Sequence, residues 1–330
     1  MQWKSVIFRY SLPLILMVCG ISQTSANWLK QSQDVMGTRV NVELWSENPA
    51  SARHCSDQVF AEMHRIDALM SPYKPDSEIS AINQQASEKN VSVSTELFNL
   101  LKQSIHFSEL SSGAFDITFA SIGFQYDYRS HKKPNAQTIS QQLKTINYKN
   151  LVLENHTVKF AMQGMSIDLG GIAKGYAVDQ AIEILQQCGI QQALVSAGGD
   201  SRILGDKQGR PWIIGIQHPR KKQAIALSIP LSNTAISTSG DYERFFLSNK
   251  KRIHHIINPQ TGKSATKSWS ATVIGPDATS TDALSTSIFI LGAKKGLELI
   301  NSLDNMDAII IDSTGVVFYS SGLESPADPG

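Results

Sequence analysis

The sequence has almost no net charge, and it lacks the paired spacings of common metal and nucleotide motifs. It contains 30 Lys and Arg against 29 Asp and Glu, a formal charge of +1 over 330 residues. Nucleic-acid-binding proteins normally carry a basic surplus, so this balance argues against that class. HExxH and CxxC are absent, which argues against zinc. GxGxxG and the Walker A loop are absent too, which removes the two strongest phosphate signatures.

Cysteine is also scarce. Of three cysteines, Cys19 lies in the N-terminal apolar run, which leaves Cys55 and Cys188 for the rest of the chain. Two cysteines cannot build a disulfide-rich scaffold. They can still pair in an oxidising compartment, and the sequence leaves that question open.

The N-terminus has the pattern of a secretory signal peptide. Lys4 and Arg9 precede SLPLILMVCGI, and the polar stretch SQTSAN ends at Ala26. The apolar run is too short to span a membrane comfortably, so we expect residues 1–26 to be a signal peptide and the mature chain to be periplasmic. Two alternatives stay open. One is an uncleaved anchor and the other is lipidation of Cys19, which is disfavoured because Val18 stands where a small residue is expected. Association with the inner-membrane surface is a further option.

Residues 27–330 predict one compact α+β unit, because there is no internal repeat and no low-complexity linker. The content of 41% hydrophobic and 18% charged residues is that of a soluble globular protein. Apolar residues at helical spacing predict helices over 56–70, 94–112, about 172–187 and about 281–302. Ser94 or Thr95 is the predicted N-cap of the second helix, and Gly189 is the predicted stop of the third. Residues 71–83 contain two prolines and predict a loop.

Strand-like segments fill most of the remaining chain. Alternating or β-rich stretches predict strands at 35–45, a hairpin at 151–162, and further strands at 192–200, 211–219, 224–232, 234–240, 252–258, 270–276 and 307–319. The helix at 172–187 then lies in a predicted strand–helix–strand unit.

The stretch SIDLGGIAKGYAVDQA, residues 166–181, places three glycines where a helix should begin. Glycines allow close backbone approach, and free N–H groups at a helix start favour an anion. Lys174 can add positive charge for a phosphate, and Asp168 can accept hydrogen bonds from a sugar or an amide. The competing interpretation is a tight turn with a surface lysine.

A second cluster, STDALSTSIF at 280–289, places a carboxylate and a hydroxyl four residues apart. Asp282 and Thr286 then share one helical face, with Ser280 or Thr281 as the predicted N-cap. Two such oxygens can hold Mg²⁺ with help from backbone carbonyls. Alternatively, Asp282 in the first turn only complements the helix dipole.

A third cluster, RIHHIINPQTG at 252–262, contains adjacent histidines. Strand alternation predicts that His254 and His255 point to opposite faces, so at most one faces a given site. Such a histidine can serve as a base or an electrostatic helper, although an isolated one is more often structural. Further glycine–acid clusters occur in GAFDIT, AGGDSRILG and TSGDYERFF, as if several loops converged on one ligand.

Taken in order, these motifs resemble the ApbE family, the FAD:protein FMN transferases. The matching stretches are MGT, SPYKPDSEISAIN, GAFDIT, DLGGIAKGYAVD, AGGD, TSGDYERFF, HHIINPQTG and DALSTSIFILG. The resemblance covers nearly all of the mature chain. It implies an ApbE-type, T-fold-like α+β fold of mixed sheets packed with helices, with FAD in a cleft between lobes.

The resemblance also implies a reaction and a set of site residues. FAD is cleaved at its pyrophosphate, FMN passes to a threonine or serine hydroxyl of a target flavoprotein, and AMP leaves, with Mg²⁺ required. The implied metal ligands are Asp282 and Thr286 through side chains and Gly171 and Ser285 through backbone oxygens. The implied flavin and adenylate contacts are Met36, Tyr73, Ala114, Phe115, Asp116, Asp168, Lys174 and Ile256. His255 is the matching functional histidine and our candidate base, with Asp282 or another carboxylate as second choice. The alternative role for His255 is to position the FMN phosphate.

Three functions follow from this interpretation. The first is the transferase, with periplasmic subunits of sodium-pumping quinone reductase or Rnf-type complexes as acceptors. The second is a Mg²⁺-dependent FAD pyrophosphatase that releases FMN and AMP. The third is a non-catalytic flavin-binding protein, against which the intact Asp282, Thr286, Lys174 and His255 argue.

Overall fold

The computed structural model describes residues 27–323, so the predicted signal peptide and Cys19 lie outside the described residues. The helices are α1 (Pro49–Met70), α2 (Glu78–Gln85), α3 (Thr95–Leu110), α4 (Ala120–Gly123), α5 (Ala136–Gln142), α6 (Ala173–Gln187), α7 (Ala278–Leu291) and α8 (Ala293–Ile300). Within the described range, no helix is long and apolar enough to cross a membrane.

Over residues 27–323 the strands form one large sheet and four small ones. They are β1 (Asn27–Val35), β2 (Thr38–Ser46), β3 (Val91–Ser92), β4 (Leu151–Glu154), β5 (Thr157–Phe160), β6 (Ala193–Ala197), β7 (Asp200–Leu204), β8 (Trp212–Gln217), β9 (Ile225–Leu231), β10 (Ala235–Gly240), β11 (Phe245–Ser248), β12 (Lys251–His254), β13 (Ile257–Asn258), β14 (Lys263–Ser264), β15 (Ser268–Gly275), β16 (Asp307–Asp312) and β17 (Val317–Tyr319).

The large sheet has eight strands in the order β1-β2-β6-β7-β10-β15-β16-β17, and every neighbouring pair is antiparallel. Helices α1, α6, α7 and α8 pack on it and on one another in that order. An antiparallel sheet with helices packed on it is an α+β architecture, so the predicted fold class is confirmed.

The prediction of one strand over 35–45 is only partly right. A two-residue turn at Met36 and Gly37 divides this stretch, so Val35 ends β1 and β2 begins at Thr38. Both turn residues have positive φ, 55° and 69°, which is the backbone of a tight hairpin turn. A turn with methionine in its first position gives a weak sequence signal, which is why β1 was missed.

The prediction of a loop over 71–83 is wrong in its second half. Ser77 accepts a hydrogen bond from the Ser80 N–H and caps α2, which begins at Glu78. The prolines at 72 and 75 lie before this cap and do not interrupt the helix.

The helix predicted over 281–302 is in fact two helices. α7 begins at Ala278, and its N-cap is Asp277, whose carboxylate accepts from the Ser280 N–H at 2.7 Å, so neither Ser280 nor Thr281 is the cap. Gly292, with φ of 79°, ends α7 and starts α8. Asp282 therefore lies in the second turn, where an interaction with the helix dipole is weak.

The predicted strand–helix–strand unit is also wrong. Residues 165–172 run as an irregular segment into α6, and the preceding β5 belongs to the three-stranded sheet β3-β5-β4. The Asp168 N–H donates to the carbonyl of Ile117, which begins a short 3-10 helix. An irregular segment with such isolated backbone bonds cannot be told from a strand by sequence alone. The stretch 307–319 is likewise a hairpin of β16 and β17.

The other predicted helices agree with their predictions, whereas α4 and α5 lie where no helix was predicted. α3 and its Ser94 cap, the β4–β5 hairpin, and α6 with Gly189 after it are confirmed. α1 covers the predicted 56–70 and starts earlier, at Pro49 after the Asn48 cap. Cys55 of α1 and Cys188 after α6 form a disulfide across a Cα–Cα distance of 6.2 Å, which settles the open question of their pairing.

Candidate functional site

The loop before α6 and the middle of α7 come together at the face of the central sheet. Gly175 is the reason that the two helices can touch. A Cβ at this position would collide with the Ala278 carbonyl and lie 2.8 Å from the Asp282 Cβ. The Gly175 N–H instead donates to Asp282 Oδ2 at 3.1 Å. One of the three glycines is therefore needed for helix packing.

Lys174 joins three elements through its ammonium group. Its Nζ lies 2.6 Å from Asp200 Oδ2 of β7 and 3.2 Å from Asp282 Oδ2 of α7. Both carboxylates are buried, each with 3% of its side chain exposed. Two buried carboxylates thus share one ammonium, and the cluster has one uncompensated negative charge when both carboxylates are ionised.

The pKa values of the cluster follow from this arrangement. Burial, and next the charge of Asp200, raise the pKa of Asp282 to about 7. Burial by itself lowers the pKa of Lys174, but the charges of Asp200 and Asp282 outweigh it and raise that pKa above its usual value. Lys174 is therefore a permanent cation, and a cation that arrives at Asp282 relieves an unfavourable charge.

Thr286 lies one helical turn after Asp282, as predicted. Its hydroxyl is 3.2 Å from the hydroxyl of Ser239 on β10. A Cβ at Gly171 would lie 3.4 Å from Thr286 Oγ1, so the backbone of Gly171 packs directly against this hydroxyl. Ser285 is fully buried, and its hydroxyl donates to the Asp282 carbonyl at 2.9 Å.

The oxygen-rich group of Asp282, Thr286 and the Gly171 backbone fits a hard divalent cation better than a soft one. The described residues contain no cluster of three or more His, Cys, Asp or Glu side chains that could hold a metal. A metal here would therefore depend on one carboxylate, one hydroxyl and backbone oxygens, the donor set that Mg²⁺ accepts when substrate phosphates complete its shell.

The two histidines differ in their surroundings. His254 is 2% exposed, and its ring nitrogens bond to the Ala265 carbonyl at 2.7 Å and the Ile256 N–H at 3.3 Å. His255 lies just after β12, and its buried Nδ1 has no partner among the described residues. Burial first, and then neighbouring His254, Arg244 and Lys174, lower the pKa of His255 to about 3. His255 is therefore a neutral ring with a free nitrogen.

Two further predicted ligand contacts, Tyr73 and Met36, lie at the rim of the site, which we define as the surface formed by Tyr73 and the β1–β2 turn. Tyr73 is 77% exposed, and its ring touches the edge of Phe124 at a centroid distance of 6.2 Å. Met36 lies in the β1–β2 turn. Arg244 holds that turn because its Nη2 donates to the Gly37 carbonyl at 2.9 Å. Burial raises the pKa of Asp168. The hydrogen bond from the Gly170 N–H and the charge of Arg244 lower this pKa and offset part of the effect.

The other predicted contacts are built into the interior. Phe115 is buried, and its ring would lie 3.2 Å from a Cβ at Gly171, while Ala114 beside it is also buried. Asp116 accepts from the Thr118 N–H, the Thr118 hydroxyl and the Tyr148 N–H, so both its oxygens are in use. The Ile256 carbonyl accepts from the Ala265 N–H. Contacts of these four residues with a ligand stay predictions.

Sequence reasoning missed two charged residues of the site, Asp200 and Arg244. Both lie in glycine–acid clusters that the sequence did single out, AGGDSRILG and TSGDYERFF. Neither cluster says which of its side chains points toward Lys174 or toward the β1–β2 turn.

The chain is similar to a known protein family in both sequence and structure. A family model described as ApbE family matches residues 36–310. The FAD:protein FMN transferase of Treponema pallidum is 31% identical over 98% of this chain and 96% of its own length. The enzyme of the same name from Haemophilus influenzae is 30% identical over 96% of this chain and 95% of its own.

Solved structures give the same result. The crystal structure of the ApbE protein of Thermotoga maritima superposes with a TM-score of 0.83 at 34% identity, covering 90% of this chain and 98% of that one. Sequence and structure agree over almost the whole of the described chain. The protein belongs to the ApbE family.

Proposed function

We propose that this chain is an FAD:protein FMN transferase that cleaves FAD at its pyrophosphate, transfers FMN to a threonine or serine hydroxyl of a target flavoprotein, and releases AMP. One observation carries the proposal. Two buried carboxylates share a single ammonium at the start of α6, beside the Thr286 hydroxyl and the Gly171 backbone. Relatives named FAD:protein FMN transferase, about 30% identical over nearly the full length, support it.

The chemical difficulty of this reaction is charge. A pyrophosphate resists attack by an alcohol until its negative charge is offset and the attacking and leaving oxygens are held in line. Lys174 is a cation in the first turn of α6, because the charges of Asp200 and Asp282 raise its pKa above the usual value. The N–H groups of Ala173 and Gly175 in this turn already donate to the Leu169 carbonyl and to Asp282, so the positive charge for an anion comes from the ammonium group. Arg244 places a second cation near Asp168 and His255.

Mg²⁺ is the metal that we propose, held by Asp282 and Thr286 with backbone oxygens of Gly171 and Ser285. Bound there, it would supply Lewis-acid neutralisation of phosphate charge. Asp282 binds a metal as the carboxylate, so metal affinity falls as the pH drops below the raised pKa of about 7.

His255 is the proposed base for the acceptor hydroxyl. Its ring is neutral and has an unpaired buried nitrogen, so it can accept a proton without first losing one. Its depressed pKa makes it a weak base, and general-base catalysis is efficient only if the developing charge at the phosphate favours the imidazolium. Positioning of the FMN phosphate is the other role that the free nitrogen supports.

FAD itself would extend from this cluster toward the rim. The exposed ring of Tyr73 offers a stacking platform for a flat base. Proposed contacts of Met36, Ala114, Phe115, Asp116, Asp168 and Ile256 complete the flavin and adenylate site. Periplasmic location, and acceptors in quinone reductase or Rnf-type complexes, belong to the same proposal and follow from the N-terminal pattern and the family resemblance.

The test incubates residues 27–330 with FAD, Mg²⁺ and a threonine-bearing acceptor domain, and weighs the acceptor by mass spectrometry. We expect a mass gain equal to FMN that disappears in EDTA and in Asp282→Ala, while the exposed-acid control Asp304→Ala keeps it. Release of AMP and free FMN without gain on the acceptor would identify a pyrophosphatase instead. FAD that is bound and never cleaved would identify a non-catalytic flavin-binding protein.

A further inference from the structure

Asp200 is a buried acid whose partners point to a specific task. It lies at the start of β7, is 2% exposed, and its Oδ2 is 2.6 Å from Lys174 Nζ. Among the described residues its carboxylate accepts no other hydrogen bond. A buried carboxylate that bonds to one lysine alone is not needed to cap a helix or close a turn, so its function is exerted through that lysine.

The distances rank the two carboxylates around Lys174. The contact with Asp200 is 2.6 Å, while Asp282 Oδ1 and Oδ2 lie 3.3 and 3.2 Å away. Short charge-assisted hydrogen bonds are the strong ones, so the ammonium is held chiefly by Asp200. Asp282 Oδ2 also accepts from the Gly175 N–H. Asp282 Oδ1 therefore keeps only the longest of these contacts.

We propose that Asp200 is a positioning residue. It holds the Lys174 ammonium so that the Asp282 carboxylate stays available to a divalent cation while the ammonium stays at the phosphate site. The inference rests on the proposed function, because the divalent cation belongs to it. Neither the family resemblance nor the sequence motifs assigned Asp200 a role.

The physical reason is a competition between two cations for one carboxylate. Without Asp200, Lys174 and Asp282 would form a closed one-to-one pair in a buried environment. A metal ion would then have to displace the ammonium and strand it as an uncompensated buried charge, which is unfavourable. With Asp200 present, the ammonium keeps a partner when the metal binds Asp282.

A simpler role would be purely electrostatic, in which the negative charge of Asp200 attracts a metal through space. The two roles differ when Lys174 is removed. A positioning role needs the ammonium and disappears with it, while a through-space attraction persists.

The experiment measures the dissociation constant of Mn²⁺, as a spectroscopic substitute for Mg²⁺, by electron paramagnetic resonance of the free ion. The proteins are residues 27–330 with no substitution, Asp200→Asn, Lys174→Met, and the double variant. The control is Glu43→Gln. Glu43 lies in β2 of the same sheet, and its carboxylate is paired with Lys207 and Lys30. Circular dichroism and thermal unfolding confirm the fold of each variant.

We expect Asp200→Asn to weaken Mn²⁺ binding at least tenfold, Glu43→Gln to leave it unchanged, and Asp200→Asn to have less than a twofold effect in the Lys174→Met background. Asp200→Asn within twofold of the unsubstituted protein would overturn the proposal. So would a tenfold loss that persists without Lys174. Should Asp200→Asn fail to fold, the smaller Asp200→Ser is held to the same expectations.

The outcome is separable from that of the proposed function. A protein that shows the expected Mn²⁺ pattern but never transfers FMN contradicts the transferase proposal and supports the positioning role. Normal transfer with unaltered Mn²⁺ affinity in Asp200→Asn contradicts the positioning role alone. A protein that binds no Mn²⁺ overturns the positioning role.

Discussion

Two buried charge clusters connect the same three elements, α6, β7 and α7, and they differ in how completely their charges are matched. In the first, Asp179 of α6 accepts from Arg202 of β7 at 2.6 Å and from the N–H groups of Ala278 and Thr279 in α7, both at 2.8 Å. In the second, Lys174 of α6 lies between Asp200 of β7 and Asp282 of α7. The first has one charge of each sign, and the second has two negative charges for one positive.

We take this difference to separate a structural cluster, around Asp179, from the proposed functional cluster, around Lys174. Asp179 fixes the start of α7, and both of its carboxylate oxygens accept hydrogen bonds from groups of the protein. The cluster around Lys174 keeps a residual negative charge that a ligand can compensate. The presence of a groove does not distinguish the two clusters in this way. A groove of about 540 Å³ is lined by Asp179 and Arg202 and not by Lys174 or Asp282.

The adjacent histidines repeat the same contrast. His254 has both ring nitrogens bonded inside the protein, while His255 has a buried nitrogen without a partner in residues 27–323. In each comparison, the incompletely satisfied group is the one that we propose as a ligand contact.

The largest expected effect breaks the functional cluster. Asp282→Asn removes the charged metal ligand, and we expect FMN transfer to fall roughly 1,000-fold, a loss of about 4 kcal/mol in transition-state stabilisation. Stability to urea at neutral pH should stay equal or rise, because one of two buried like charges is removed while Lys174 keeps Asp200. Rates and urea unfolding are measured on the same preparation. A variant that transfers FMN at the normal rate, or that unfolds at a much lower urea concentration, would contradict the assignment of the Lys174 cluster as functional and not structural.

The second effect breaks the structural cluster. Asp179→Ala leaves Arg202 and the first N–H groups of α7 without their acceptor, and we expect a loss of about 3–5 kcal/mol in the free energy of unfolding. Urea titration measures it, with the exposed-acid variant Asp304→Ala as the control. A loss below about 1 kcal/mol would show that Asp179 is not what fixes the start of α7.

The third effect acts on the helix contact between the two clusters. Gly175→Ala places a methyl group against the Ala278 carbonyl and the Asp282 Cβ, so α6 and α7 must separate. Overpacking of this kind costs about 1–3 kcal/mol. Thermal unfolding of Gly175→Ala and the bulkier Gly175→Ser measures it. If steric collision is the cause, Gly175→Ser lowers the stability more than Gly175→Ala does. Equal losses would show that steric collision is not the cause.

The smallest effect concerns His255 and pH. Its folded pKa of about 3 lies below the usual 6.5, so the unfolded chain takes up the proton first as the pH falls. The contribution of this residue to stability is full above about pH 6.5 and is lost on acidification toward pH 3. Between pH 7.5 and 5 we expect the native protein to lose on the order of 1–2 kcal/mol relative to His255→Asn.

Chemical unfolding at a series of pH values tests this last prediction. Buried acids with raised pKa values, Asp282 among them, act in the opposite direction, so only the difference between the two proteins isolates His255. A difference that does not change with pH would show that His255 titrates normally in the folded state.

Sequence reasoning was most reliable where a local pattern determines a local structure. The α3 helix with its Ser94 cap and the β4–β5 hairpin were predicted because capping and turn chemistry are local. The pairing of Asp282 with Thr286 follows from helical periodicity alone. The start of α7 was misplaced because Asp277, Ser280 and Thr281 are all good caps, and the contact with Asp179 lies about a hundred residues away in sequence.

By itself, the sequence determined the α+β class, the family resemblance and the residue types of the site, because these depend on composition, periodicity and short motifs. Only the tertiary structure decided that Asp200 faces Lys174, that Asp179 holds α7, and that His255 and not His254 has a free nitrogen. Those outcomes depend on which strands neighbour one another and how closely two helices approach at Gly175. Contacts between distant segments are set by packing of the whole chain, so no local pattern encodes them.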